Sequence, residues 1–269
     1  MAGLGLAICF GEYGRHAVHS MQMPGSRSGH DASAAGVFRY YRAEQEKGRH
    51  IVAQGVPFVV DGVRGFLHRP AGEPEAGLVL THGAGGNCDS RLLVAAAEAF
   101  GAAGVCVLRC DLPFRQKRPR GPPSPAGAGA DRTGLRAAVD AMRGHVPGPV
   151  MLGGQSYGGR QATMLAAEQP GLVGCLLLFS YPLHPPGKPE RLRTEHFPQL
   201  RVPCLFVQGT SDPFGSPDEL EAAIAAIPAP AELIPVQAAG HDLKGGRFDL
   251  GPVILAVLRL CAGTTAGPG

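Results

Sequence analysis

The chain contains no run of 18 apolar residues, so no transmembrane helix is expected. Clustered metal ligands are missing too. The 10 histidines are scattered singly, and the seven cysteines include no C-x-x-C pair, which leaves no spacing for a zinc site. Cys106, Cys175 and Cys204 fall inside apolar runs and Cys110 at the end of one, the pattern of buried free thiols in a reducing compartment. Residues 3–10 are apolar but carry neither a basic leader nor a cleavage site, so the expected location is cytoplasmic. A net charge of +3 is too small to argue for nucleic acid. No repeat of solenoid length occurs. Residues 83–86 lack the G-x-G-x-x-G spacing, so no dinucleotide site is expected, and no cofactor or metal of any kind is.

The 269 residues are enough for one α/β domain with a substantial core. Residues 1–50 are rich in Gly, Ser, His and Arg without sustained periodicity. They read as a disordered arm with a short helix near 37–47. A regular pattern begins at residue 51 and continues to 262, with 263–269 as a flexible tail. Residues 58–60 and 63–68, separated by Asp61-Gly62, form a hairpin pattern. Strand-like runs follow at 77–81, 105–109, 149–153, 174–180, 204–208 and 232–236. Helical segments are expected at 90–103, 131–143, 161–168 and 248–261, the last with Leu250, Ile254, Val257, Leu258 and Cys261 on one stripe. Ser216-Pro217-Asp218-Glu219 is a capping-box signature for a further helix. Continuous apolar strands alternating with helices imply an α/β fold: a mostly parallel central sheet covered by helices on both faces.

Four chemistry-bearing segments follow strands, where an open α/β sheet places its ligands. Gly154-Gln155-Ser156-Tyr157-Gly158 lies between a strand and an alanine-rich helix. A G-x-S-x-G turn there exposes the serine hydroxyl at the sheet edge and leaves the next N–H free. His82-Gly83-Ala84-Gly85-Gly86-Asn87 follows the first parallel strand, Gly209-Thr210-Ser211-Asp212-Pro213 a later one, and Gly240-His241-Asp242 the last. The chemistry requires each part. A serine hydroxyl becomes nucleophilic when an imidazole takes its proton, and a carboxylate on the other ring nitrogen holds the tautomer. Ser156, His241 and Asp212 are the candidates in those roles. Asp242 competes for the acid role but cannot easily fold back onto its neighbour's ring. The N–H groups of Tyr157 and Ala84 are the candidate oxyanion donors, and His82 reads as a brace for their loop.

The elbow Gly153-Gly154-Gln155-Ser156-Tyr157-Gly158-Gly159-Arg160 resembles that of the dienelactone-hydrolase-like α/β-hydrolases, most nearly the KANL/Tex subgroup, whose members often read G-G-K-S-M-G-G-R. Residues 80–85, 111–115, 208–215 and 240–243 resemble that subgroup as well, and the likeness covers about residues 57–260. It implies the α/β-hydrolase fold and assigns Ser156, Asp212 and His241 to a catalytic triad. Gln155 stands where the subgroup has lysine and Tyr157 where it has methionine. Dienelactone hydrolases proper use cysteine where this chain has Ser156.

Two loops, 113–130 and 181–200, are expected to overhang the nucleophile, the second in place of a larger cap. A small or absent cap suits a small or protruding acyl substrate. Gln155 and Tyr157 beside the nucleophile, and Phe114 and Tyr181 on the two loops, are the expected substrate contacts. Arg115, Lys117, Arg118 and Arg120 on the first loop and His184, Lys188, Arg191, Arg193 and His196 on the second read as a solvated basic rim or as partners of Glu190 and Glu195, with attraction of an anionic substrate as the alternative; Arg160 reads as a loop brace reaching Asp111. Residues 115–120 carry four basic side chains without interleaved aromatics, which argues against nucleic acid. The expected activity is hydrolysis of a small carboxylic ester or thioester, and the alternative is a catalytically silent hydrolase-fold binding protein. The sequence does not determine the oligomeric state.

Overall fold

The computed structural model describes residues 54–263. The arm expected at 1–50, its short helix at 37–47, and residues 264–269 of the expected tail lie outside the described residues.

An eight-stranded sheet forms the centre. Its strands are β1 (Gly55–Val60), β2 (Val63–His68), β3 (Ala76–Thr81), β4 (Val105–Cys110), β5 (Val150–Gln155), β6 (Cys175–Phe179), β7 (Cys204–Gly209) and β8 (Ala231–Val236). They lie in the order β1-β2-β4-β3-β5-β6-β7-β8. The hairpin β1–β2 is antiparallel and joins β4 in the antiparallel sense, while β3 through β8 run parallel. Asp61 and Gly62 both have positive φ (49° and 80°), the two-residue turn whose twist matches a hairpin.

Six helices flank the described sheet: α1 (Arg91–Ala102), α2 (Pro113–Lys117), α3 (Ala128–Arg143), α4 (Tyr157–Glu168), α5 (Pro217–Ile224) and α6 (Gly251–Gly263). Strands buried on both faces feed two cores. Val79, Leu152, Leu178 and Phe206 pack with Leu135, Val139 and Met142 of α3 and with Ala162 and Leu165 of α4. Their neighbours one residue away, Leu78, Leu80, Met151, Leu177 and Val207, pack with Leu93 and Phe100 of α1 and with Val253, Ile254 and Val257 of α6. The period of two along each strand thus divides one apolar run between two layers.

The capping box at Ser216 is formed. Its hydroxyl accepts from Glu219 N–H at 3.3 Å, and Glu219 accepts from Ser216 N–H at 2.8 Å, a motif that contributes about 1 kcal/mol. Helix α4 starts at Tyr157 rather than 161, and three further differences from the sequence expectation stand out. Helix α3 starts at Ala128 rather than 131, with Asp131 inside its first turn. Helix α6 starts at Gly251 rather than 248, where Asp249 accepts from Gly251 N–H at 2.9 Å. Within 113–130, residues 113–117 form α2, a helix too short to show periodicity. Among the described residues, Cys106, Cys110, Cys175 and Cys204 are buried and lie outside any disulfide. No described helix is long and apolar enough to cross a membrane.

Candidate active site

Strand β5 ends at Gln155 and helix α4 begins at Tyr157, so Ser156 alone makes the turn. Its backbone has φ 51° and ψ −116°, a strained conformation for a residue with a side chain, of the kind that costs roughly 1–3 kcal/mol. Ser156 N–H donates to Phe179 O on β6 at 2.9 Å, and Ser156 O accepts from Arg160 N–H at 2.9 Å, which fastens the turn at both ends. The flanking glycines permit the approach. A Cβ on Gly158 would sit 2.6 Å from His82 O, and one on Gly154 would sit 2.8 Å from the Gly158 carbonyl carbon.

The structure brings Ser156, His241 and Asp212 together. Ser156 Oγ lies 2.8 Å from His241 Nε2, and His241 Nδ1 lies 2.8 and 3.0 Å from the two carboxylate oxygens of Asp212. An ionised carboxylate only accepts, so Nδ1 carries the proton and Nε2 is left to accept the serine O–H. The Asp212 carboxylate is fully buried. Its oxygens also accept from Phe214 N–H at 2.9 Å and Gln208 Nε2 at 3.1 Å. The Phe214 ring covers the imidazole at 4.2 Å between centroids. Gln155 Nε2 donates to His241 O at 3.2 Å and ties the elbow to the histidine loop. Asp242 instead accepts from Lys244 N–H at 3.1 Å, capping its own turn.

Gln208 was missed by sequence reasoning. It is fully buried at the end of β7, where it also donates to Gly215 O at 2.8 Å. The available signal was a polar side chain inside an otherwise apolar strand.

The loop 82–86 faces the elbow and is held from behind. His82 is fully buried. Its Nε2 accepts from Leu112 N–H at 3.1 Å, so Nδ1 carries the proton and donates to Gly83 O at 2.8 Å. Burial lowers its pKa, consistent with this neutral form.

Arg115 departs from its expected place on a solvated rim. It is buried beneath the same loop and donates to Gly86 O at 2.7 Å, Ala84 O at 2.9 Å, Gly121 O at 3.1 Å and Arg118 O at 3.2 Å. Only a forked guanidinium serves so many carbonyls at once.

Arg160 also departs from expectation. Asp111 is occupied by Arg64 at 3.1 Å and Cys88 N–H at 2.8 Å, so the expected Arg160–Asp111 brace does not form. Arg160 lines the cavity instead.

That cavity measures about 520 Å³ and is lined by Gly83–Gly86, Gln155, Ser156, Tyr157, Arg160, Pro182, Arg193, Phe214 and His241. Ala84, Tyr157 and Gln155 therefore reach it. Phe114 and Tyr181 do not, and both expected substrate contacts are corrected. Phe114 is buried against His82 and Tyr157. Tyr181 is fully buried against Phe197 and Phe206, with its hydroxyl donating to Arg193 O at 2.9 Å. Each aromatic gains more by filling the core beneath its loop than by facing water. Tyr157 turns its hydroxyl away from the cavity and donates to Asp131 at 2.8 Å, while the other Asp131 oxygen accepts from Phe114 N–H at 3.0 Å.

His196 lies behind this wall, with Nε2 2.8 Å from Thr163 Oγ1. Burial first, and then the charge of Arg160, push its pKa down to about 4 against the opposing pull of Glu195. The unfolded chain therefore takes up this proton first. The stabilisation from a neutral His196 is complete above about pH 6.5 and is lost as pH falls toward 4. His196→Gln is expected to flatten that part of the acid decline. Urea unfolding midpoints of the two proteins between pH 6.5 and 4 check it, and parallel curves would contradict it.

A model of the alpha/beta hydrolase domain matches residues 74–249. The chain belongs to the alpha/beta hydrolase family. Its architecture is shared with solved hydrolases of low identity. An alpha-beta serine hydrolase homologue from Coxiella burnetii is 19% identical with a TM-score of 0.60, covering 77% of this chain and 97% of that one. Est1E from Butyrivibrio proteoclasticus is 18% identical with a TM-score of 0.59, covering 79% and 99%. A dienelactone hydrolase from Anabaena variabilis is 23% identical with a TM-score of 0.54, covering 78% and 94%. At such identities the likeness speaks for the fold, and the hydrolase's own site must carry the chemistry.

Proposed function

We propose that this hydrolase cleaves a carboxylic ester or thioester of a small molecule through an acyl-enzyme on Ser156. One observation carries the reading: the continuous chain of contacts from Ser156 Oγ through His241 to buried Asp212, each at 2.8 Å, opening on a cavity. The hydroxyl attacks the substrate carbonyl while His241 Nε2 takes its proton. Asp212 stabilises the resulting imidazolium. The tetrahedral intermediate collapses, the C–O or C–S bond breaks, and His241 returns the proton to the leaving alcohol or thiol. Water then repeats the sequence on the acyl-enzyme and releases the acid.

The developing oxyanion needs donors fixed in advance. Tyr157 is the first residue of α4, so its N–H has no acceptor within the helix. Ala84 supplies the second N–H in this reading, from the loop that Arg115 and His82 brace. A cavity of about 520 Å³ suits a small substrate.

A fluorophosphonate probe tests the reading directly. It is expected to modify Ser156, located by mass spectrometry, and labelling is expected to fade in His241→Ala. A folded wild-type protein that fails to label would overturn it.

A further inference from the structure

The same cavity holds two positive charges that the chemistry at Ser156 does not use. Arg160 projects from the first turns of α4, and Arg193 from the loop after β6. No carboxylate lines the cavity with them. Neither arginine forms an ion pair among the described residues. Arg160 Nε is buried and has no hydrogen-bond partner. Arg193 spends one nitrogen on a long contact to Pro182 O at 3.3 Å.

This arrangement is costly without a ligand. A buried guanidinium N–H left unsatisfied loses its hydration and gains nothing in return. Burial and the neighbouring charge of Arg160 both act to lower the pKa of Arg193. Glu195, the carboxylate whose charge opposes these effects on Arg193 and His196, is exposed. His196, packed beside Arg160, is held neutral and adds no competing cation. Arg160 also sits near the N-terminal end of a 12-residue helix, where the helix dipole is itself positive. The two arginines and the helix end favour an anion on this side of the cavity.

We propose that Arg160 and Arg193 form an anion subsite that receives a carboxylate carried by the substrate at the end remote from its scissile ester bond. The inference rests on the hydrolase reading for the ester and adds the substrate class: half-esters and half-thioesters of dicarboxylic acids. Arg160 lies four positions after Ser156 along α4, a backbone rise of about 6 Å. A six-carbon diacid places its free carboxylate several bonds from the reacting carbonyl and serves as the probe. Two guanidinium groups can each give a carboxylate paired N–H donors, a geometry that an equally long neutral chain cannot use.

The test compares mono(4-nitrophenyl) adipate with 4-nitrophenyl hexanoate on the full chain, corrected for spontaneous hydrolysis. The two have the same carbon count and leaving group and differ in the remote carboxylate. The wild type is expected to prefer the half-ester in kcat/KM. That preference ratio is expected to fall about 10- to 100-fold in Arg160→Gln and, separately, in Arg193→Gln, with circular dichroism verifying that both are folded. A wild-type ratio near one, or a ratio unchanged in both variants, would overturn the subsite while leaving the hydrolase reading intact. If neither ester is turned over and Ser156 does not label, the hydrolase reading fails. Calorimetry with adipate alone then decides the subsite. Binding weakened at least tenfold in Arg160→Gln supports it, and no binding to the wild type overturns it.

Discussion

Replacing Ser156 by alanine is expected to abolish hydrolysis of 4-nitrophenyl hexanoate, a loss in kcat on the order of 10^6-fold, and His241→Ala to do nearly the same. The two losses should not add, because the serine and the imidazole 2.8 Å apart act as one unit. Asp212→Asn should cost about 10^4-fold, for a reason visible in its contacts. Three donors converge on the carboxylate: His241 Nδ1, Gln208 Nε2 and Phe214 N–H. An amide offers one acceptor oxygen in place of two, so at least one of those donors must face an NH2 group or the ring must take the other tautomer. Steady-state kinetics on the three single variants and the Ser156→Ala/His241→Ala double variant check the prediction. A double variant much slower than either single one would contradict the shared role.

The second large effect is expected far less obviously, at Arg115. Its guanidinium reaches four backbone carbonyls, two of them on the loop that carries Ala84. In Arg115→Met the apolar volume is roughly kept and the donors are gone. Stability is expected to fall by about 2–4 kcal/mol, the order of one or two buried carbonyls left unsatisfied. Activity should fall further than stability alone explains. A loop released from its brace no longer holds the Ala84 N–H in place, and losing one oxyanion donor lowers kcat by about 10^2- to 10^3-fold. Arg115→Lys should not restore either property, since an ammonium cannot span carbonyls spread across the loop and residues 118 and 121. Urea unfolding and kcat measured well below the unfolding midpoint separate the two effects. An Arg115→Met protein with wild-type kcat would show that the loop keeps its shape without the brace.

Arg115 also illustrates where reading a sequence stops. Its neighbours Lys117, Arg118 and Arg120 made it look like one member of a basic rim. Nothing local distinguishes the residue that folds inward. Its burial depends on carbonyls from residues 84 and 86, roughly thirty positions away. Phe114 and Tyr181 fail as substrate contacts for the same reason. An aromatic on a loop can face the ligand or the core, and the choice is made by which cavity remains open once the sheet has packed. Arg160 reverses the case. Its expected partner Asp111 is already bound to Arg64 and Cys88, so the arginine is left in the cavity.

What the sequence determined by itself is the set of features governed by neighbours along the chain. The alternation of apolar strands and helices, the Asp61-Gly62 turn, the Ser216 capping box and the small residues around Ser156 are all local, and steric and propensity rules act within a few residues. Strand ends also carry their chemistry-bearing loops in a legible order. Only the tertiary structure decided which side chains meet. The sheet order places β5 two strands from β7 and three from β8, so Ser156, Asp212 and His241 converge across 85 residues of chain. The same packing left Arg160 and Arg193 facing one cavity without a counter-charge. Electrostatic and hydrogen-bond partners act through space, and the distance between them is set by the whole fold.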